Sequence, residues 1–164
     1  MLEVFIFATL NGLVTGFLLF MLASGLTLIF SMMGVLNFAH ASFYMLGAYF
    51  AYSLSLYFGF WGGLIFAPLI VGVLGALVER YGLRKVHASG HVAALVFTFG
   101  LAFLIEEAIQ FFWGRDTKNY QTPDLLDFPL FTLFGQEFSA YRGFMMAISI
   151  AIFIALYYAL TKSR

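Results

Sequence analysis

The sequence contains no cysteine, which excludes disulfides, zinc-thiolate sites and thiol catalysis. Charge is nearly as scarce. Acidic and basic residues make up 10% of the 164 residues, where soluble domains carry about 25%. Between Glu3 and Glu79 no Asp, Glu, Lys or Arg occurs at all. The three prolines are Pro68, inside an apolar stretch, and Pro123 and Pro129, inside a polar one. No G-x-x-x-x-G-K-[ST] loop is present, so any ATP hydrolysis belongs to another chain. No Ser-His-Asp set assembles at one end of the apolar segments, no metal or other cofactor is called for, and the chain is not read as an enzyme. Net charge is zero with no basic stripe, which gives a nucleic acid nothing to bind. Glu3 stands where a signal peptide has basic residues, which argues against a cleaved leader.

What is there is oil: 63% hydrophobic residues, with 22 Phe and nine Tyr. A soluble fold of this length cannot hide so much apolar surface, so lipid must be its solvent. A helical span needs roughly 20 apolar residues. The runs predict five spans, at residues 4–33, 41–58, 64–78, 92–112 and 144–160. Asn11 and Gly12 mark a wet end of the first. The aromatic, glycine-rich "YFGFWGG" at 57–63 reads as an interfacial turn. The segment 113–143 is polar and too long for a turn, and "LFTLFGQEFSAY" within it suggests a small β-hairpin. The predicted fold is an all-α polytopic bundle of about five transmembrane helices with one long external loop, a single domain over 1–164.

Basic residues set orientation. Arg80, Arg84 and Lys85 stand against one acid in the connection 79–91, and Lys162 and Arg164 close the chain without an acid nearby. Those two regions read as cytoplasmic and the long loop as external. Five spans then place the N-terminus outside and the C-terminus in the cytoplasm.

Several polar groups interrupt the oil. Asn37, His40 and Ser42 fall within six positions of "GVLNFAHASFYMLGAY" (34–49). Asn37 or Ser42 could cap a helix end while His40 bonds a freed carbonyl. The same break could line a translocation path, because irregular backbone at membrane depth survives only against protein or water. The two readings are compatible, with capping the weightier. Glu106 and Glu107 point about 100° apart on a helix and so share no site easily. They read as one interfacial acid and one residue facing the bundle. His87 and His91 are four apart, but with no third ligand and with Gly90 between them they read as loop histidines rather than a metal site. Arg80, Arg84 and Lys85 set topology and are candidates for contact with lipid headgroups or a partner. Of two G-x-x-x-G pairs, only Gly12 and Gly16 lie in an expected helix, where they favour close helix packing.

The stretch "ASGLTLIFSMMGVLNFAHASFYMLGAYFAY" (23–52) resembles the first signature of permease subunits of branched-chain amino-acid ABC transporters. "VERYGLRKVHASGHVAALVFTFGLAFLIEEAIQFFWG" (78–114) is similar to the stretch that follows it in that family. Ala41 and Ser42 depart from the Gly and acidic residue common there. The resemblance implies a permease of an importer in the cell inner membrane. It further implies a second permease subunit, two cytoplasmic ATPase subunits, an external substrate-binding protein and surrounding membrane lipids. Such permeases are about twice as long, so the chain is expected to stop before the cytoplasmic coupling segment. The alternatives are a urea or short-chain amide permease of the same family, or a non-transporting truncated membrane protein.

Overall fold

The computed structural model describes residues 1–34, 36–120, 122–133 and 135–162. In chain order these form α1 (Leu2–Met33), α2 (His40–Val78), a π-helical turn (Glu79–Leu83), α3 (Arg84–His87), α4 (His91–Trp113), a 3-10 turn (Asp124–Leu126), the strands β1 (Pro129–Leu133) and β2 (Gln136–Ser139), and α5 (Ala140–Lys162). Four stretches, Glu3–Ser31, His40–His87, His91–Trp113 and Ala140–Lys162, are helical, long and apolar enough to cross a membrane. A helix is the natural form for such sequence, because every backbone N–H and C=O is satisfied within the segment. The chain divides into two compact units, Leu26–Tyr120 and Met1–Gly25 with Gln121–Arg164.

In the unit Leu26–Tyr120, α2 has 39 residues, about 58 Å if straight and far more than a hydrocarbon core of roughly 30 Å. It is not straight. Gly59 adopts φ 68° and ψ 179°, a region essentially closed to residues with a Cβ. The arms on either side fold back on each other. A Cβ at Gly63 would lie 2.6 Å from the carbonyl oxygen of Ala51 and 3.3 Å from Cβ of Ser55, and Gly47 faces Val71. Phe58 and Phe66 rings lie 5.9 Å apart across the turn. Each arm of about 19 residues spans roughly 28 Å, one membrane crossing. Four long helices thus supply five rods, in keeping with the five predicted spans. The turn predicted at 57–63 pivots on Gly59.

The charged stretch 79–91, read from sequence as a connection, is helical as far as His87. The Glu79 N–H still reaches the carbonyls of Gly75 and Ala76, and the Arg84 N–H reaches back to Glu79 across one wide turn. The turn seats Gly82 on the Phe97 ring and buries Leu83 beside Ala94. Only Ala88, Ser89 and Gly90, the last at φ 107°, separate α3 from α4. On α4, Ala94, Thr98, Ile105 and Ile109 form one buried stripe at helical spacing. The backbone of Phe38 meets Thr98, while Ser53, Tyr49 and Phe50 meet Trp113. α4 therefore runs parallel to the first arm of α2 and antiparallel to the second.

In the other unit, Arg142 Nη1 donates to Asn11 Oδ1 at 2.6 Å and Phe20 meets Phe153 edge-on at 5.4 Å. Both pairs advance in the same sense, so α5 runs parallel to the N-terminal part of α1. Asn11 lies within the helix and not at its end. The predicted hairpin is present, antiparallel and with a bulge between Pro129 and Phe131. Phe131 stacks on Phe138 at 5.0 Å, and the Ala140 N–H bonds the Phe128 carbonyl where α5 begins. Gly12 and Gly16 line an open groove on α1 with Thr9, Leu13, Phe17 and Phe20, and a Cβ at either glycine would meet nothing within 4 Å. Among the described residues, no helix of this chain closes on the small-residue pair favoured from sequence. Gly63, passed over as part of a turn, brings the arms of α2 together, because the helix resumes directly after Gly59.

Candidate functional site: the polar break between α1 and α2

α1 ends at Gly34, whose φ of 68° closes the helix with an N–H bond of 2.8 Å to the Phe30 carbonyl. Three residues later the side chain of Asn37 takes over a task the helix cannot perform. Its Oδ1 accepts the Ala39 N–H at 3.0 Å, and its carbonyl accepts the His40 N–H at 3.1 Å. This local Asx-type turn serves the donors ahead of α2. Ala39 is fully buried, while Asn37, His40 and Ser42 are half-buried, His40 as the first residue of α2 and Ser42 in its first turn.

The Phe38 amide finds a partner sixty positions away. Thr98 Oγ1 accepts it at 3.3 Å and donates to the Leu95 carbonyl at 3.1 Å. Thr98 is 1% exposed. Edge-to-face contact between Phe38 and Phe99 at 6.1 Å supports the same junction. Thr98 stands two turns inside α4, about 10 Å from its start at His91. The break therefore lies within the helical layer. Its backbone is irregular, and Asn37 and Thr98 supply acceptors for its amides. Thr98 did not stand out in the sequence. The available signal was a lone hydroxyl amid the apolar run of α4.

The basic group predicted at 79–91 lies on helix. Arg80, Arg84 and Lys85 are exposed, with Arg84 Nε 3.5 Å from a Glu79 carboxylate oxygen and the Arg80 guanidinium 5.7 Å from the Tyr81 ring centroid. An exposed pair of this kind contributes little stability. His87 and His91 are not loop residues: one ends α3, the other begins α4, and their rings lie 5.5 Å apart. The His87 Nδ1 is buried without a hydrogen-bond partner among the described residues. No group of three or more His, Asp or Glu capable of holding a metal comes together among the described residues. Glu106 and Glu107 are both exposed, so neither faces the buried stripe of α4. Lys162 ends α5, whereas Arg164 lies outside the described residues.

Residues 8–164 match the family described as the permease component of the branched-chain amino acid transport system. The chain belongs to that permease family. Among its relatives in this permease family, the high-affinity branched-chain amino acid transport system permease protein BraD of Pseudomonas aeruginosa is 26% identical over 159 residues. LivH of Salmonella typhimurium, of the same description, is 26% identical over 157 residues, and LivH of Escherichia coli K12 is 25% identical over the same length. Each alignment takes in about nine-tenths of this chain and 50% of the relative. The chain thus spans about half the length of the permeases it matches. No solved structure matches it.

Proposed function

We propose that the chain forms one half of a permease subunit of an ABC importer that carries branched-chain amino acids across the inner membrane. The observation that carries this reading is the match along residues 8–164 to permeases of that transport system. The fold supports it, with helices long and apolar enough to cross a membrane and a polar break held against α4 about 10 Å from that helix's start. Asn37, His40 and Ser42 are the residues of this reading that line the path, with Asn37 also holding the turn. Arg80, Arg84 and Lys85 face the cytoplasm, and the segment 114–139 faces outward, so the N-terminus is external. The rest of the path is assigned to the half of the relatives' length that lies outside the alignment. A second permease, two ATPase subunits that hydrolyse the ATP and an external binding protein complete the machine. The permease itself makes and breaks no covalent bond.

The test is uptake of radiolabelled leucine, isoleucine and valine by the assembled transporter, with Asn37→Ala and His40→Ala variants compared at equal membrane abundance. The reading expects uptake by the native assembly and its loss in both variants. Uptake of urea or a short-chain amide in place of the amino acids would reassign the substrate. Normal uptake by both variants would leave Asn37 a capping residue only.

A further inference from the structure

Several contacts hold the polar break among the described residues. On the α2 and α4 side, the Phe38 amide bonds Thr98 Oγ1, the Phe38 ring meets Phe99, Ala39 is wholly buried, and Asn37 binds the Ala39 and His40 amides. On the α1 side stands Gly34, at positive φ, where an added Cβ would meet nothing within 4 Å. Thr98 cannot be exchanged so freely. It is buried, its proton is committed to the Leu95 carbonyl, and its lone pair is the acceptor for the Phe38 amide.

We propose that Thr98 is the positioning residue that fastens the break to α4, so that Asn37 and His40 keep their place beside α4. This rests on the permease reading, in which one group of helices rocks against another to expose the path alternately. Under that motion a break attached to α1 would carry its polar groups away from α4, whereas a break pinned to α4 keeps them in place. Thr98 touches no substrate in this account and acts through the Phe38 amide.

The full chain is reconstituted in lipid nanodiscs and hydrogen exchange is followed across residues 36–43 for the native protein, Thr98→Val and Thr98→Ser. Valine keeps the shape and removes the acceptor, and serine keeps the acceptor. The expected result is exchange about tenfold faster in Thr98→Val, as for loss of one buried hydrogen bond, with near-native exchange in Thr98→Ser. In the assembled transporter, Thr98→Val is expected to lower the maximal uptake rate with KM little changed, and Thr98→Ser to restore it. Unchanged exchange in Thr98→Val overturns the tether. Faster exchange with native uptake overturns the positioning role. If the native assembly carries no branched-chain amino acid, the permease reading fails, and the exchange comparison alone decides the tether.

Discussion

Gly63 shows how much one missing Cβ can decide. Its α-carbon lies so near the opposite arm of α2 that a methyl group would stand 2.6 Å from the Ala51 carbonyl oxygen, inside contact distance with backbone that cannot turn aside. Gly63→Leu is expected to destabilise the protein by about 1–3 kcal/mol through overpacking. Gly72→Ala, where a Cβ meets nothing within 4 Å, is expected to match or exceed native stability. Thermal unfolding of the two variants in one detergent compares them directly. Sequence alone did not separate these glycines, because closeness to a carbonyl is a property of the partner strand of helix and leaves no mark at the glycine itself. Asn37 was legible for the opposite reason. A turn that bonds amides two and three residues on is local, and its chemistry is written in the residue that performs it. Its distant counterpart Thr98 was not legible, since the bond joins residues sixty positions apart.

At the scale of the element, α2 is held as a hairpin by the backbone of Gly59. No polar loop separates its arms, so the reversal depends on a φ and ψ combination that an L-residue reaches only under strain. Gly59→Ala is expected to cost about 1–3 kcal/mol, read as a fall in the unfolding midpoint of the full chain. A midpoint equal to the native one would mean that the arms hold their turn without it. The helices and the β-hairpin were readable because apolar run length and turn residues carry their signal within one segment. The helix through Glu79–His87 was misread for a physical reason. Charge marks the end of the oily layer, but a helix has no need to stop where the layer does. This one continues to His87.

For the whole molecule, orientation is the property with the most direct consequence, and the lack of cysteine makes it accessible. A single cysteine introduced at Lys118 is expected to react with a membrane-impermeant maleimide on intact cells. One introduced at Lys85 is expected to react only after the membrane is opened. Both lysines are exposed, so access is set by the side of the membrane and not by burial. The reverse pattern would invert the topology and carry the Arg80, Arg84 and Lys85 group to the outside. The parallel course of α5 and the start of α1 requires the N-terminus and the hairpin of β1 and β2 to share a side, whichever side that is.

The wide turn at Glu79–Leu83 bears on how such chains tolerate changes in length. A π turn holds one more residue than the α-helix on either side of it, and the Arg84 N–H accordingly spans five residues to reach Glu79. Deleting one residue there need not open a loop or break the rod, because the surplus can be absorbed by reverting to ordinary α-helix. Phase is kept as well, because five residues wound as a π turn and four wound as α-helix carry the chain through about the same angle, roughly 400°. Leu83 would keep its place beside Ala94, and the arginine and lysine side chains beyond it would keep their faces. Between sequences of this kind, a one-residue gap at this turn therefore leaves the helix faces in place, and the residues following it correspond by face although their numbers differ by one.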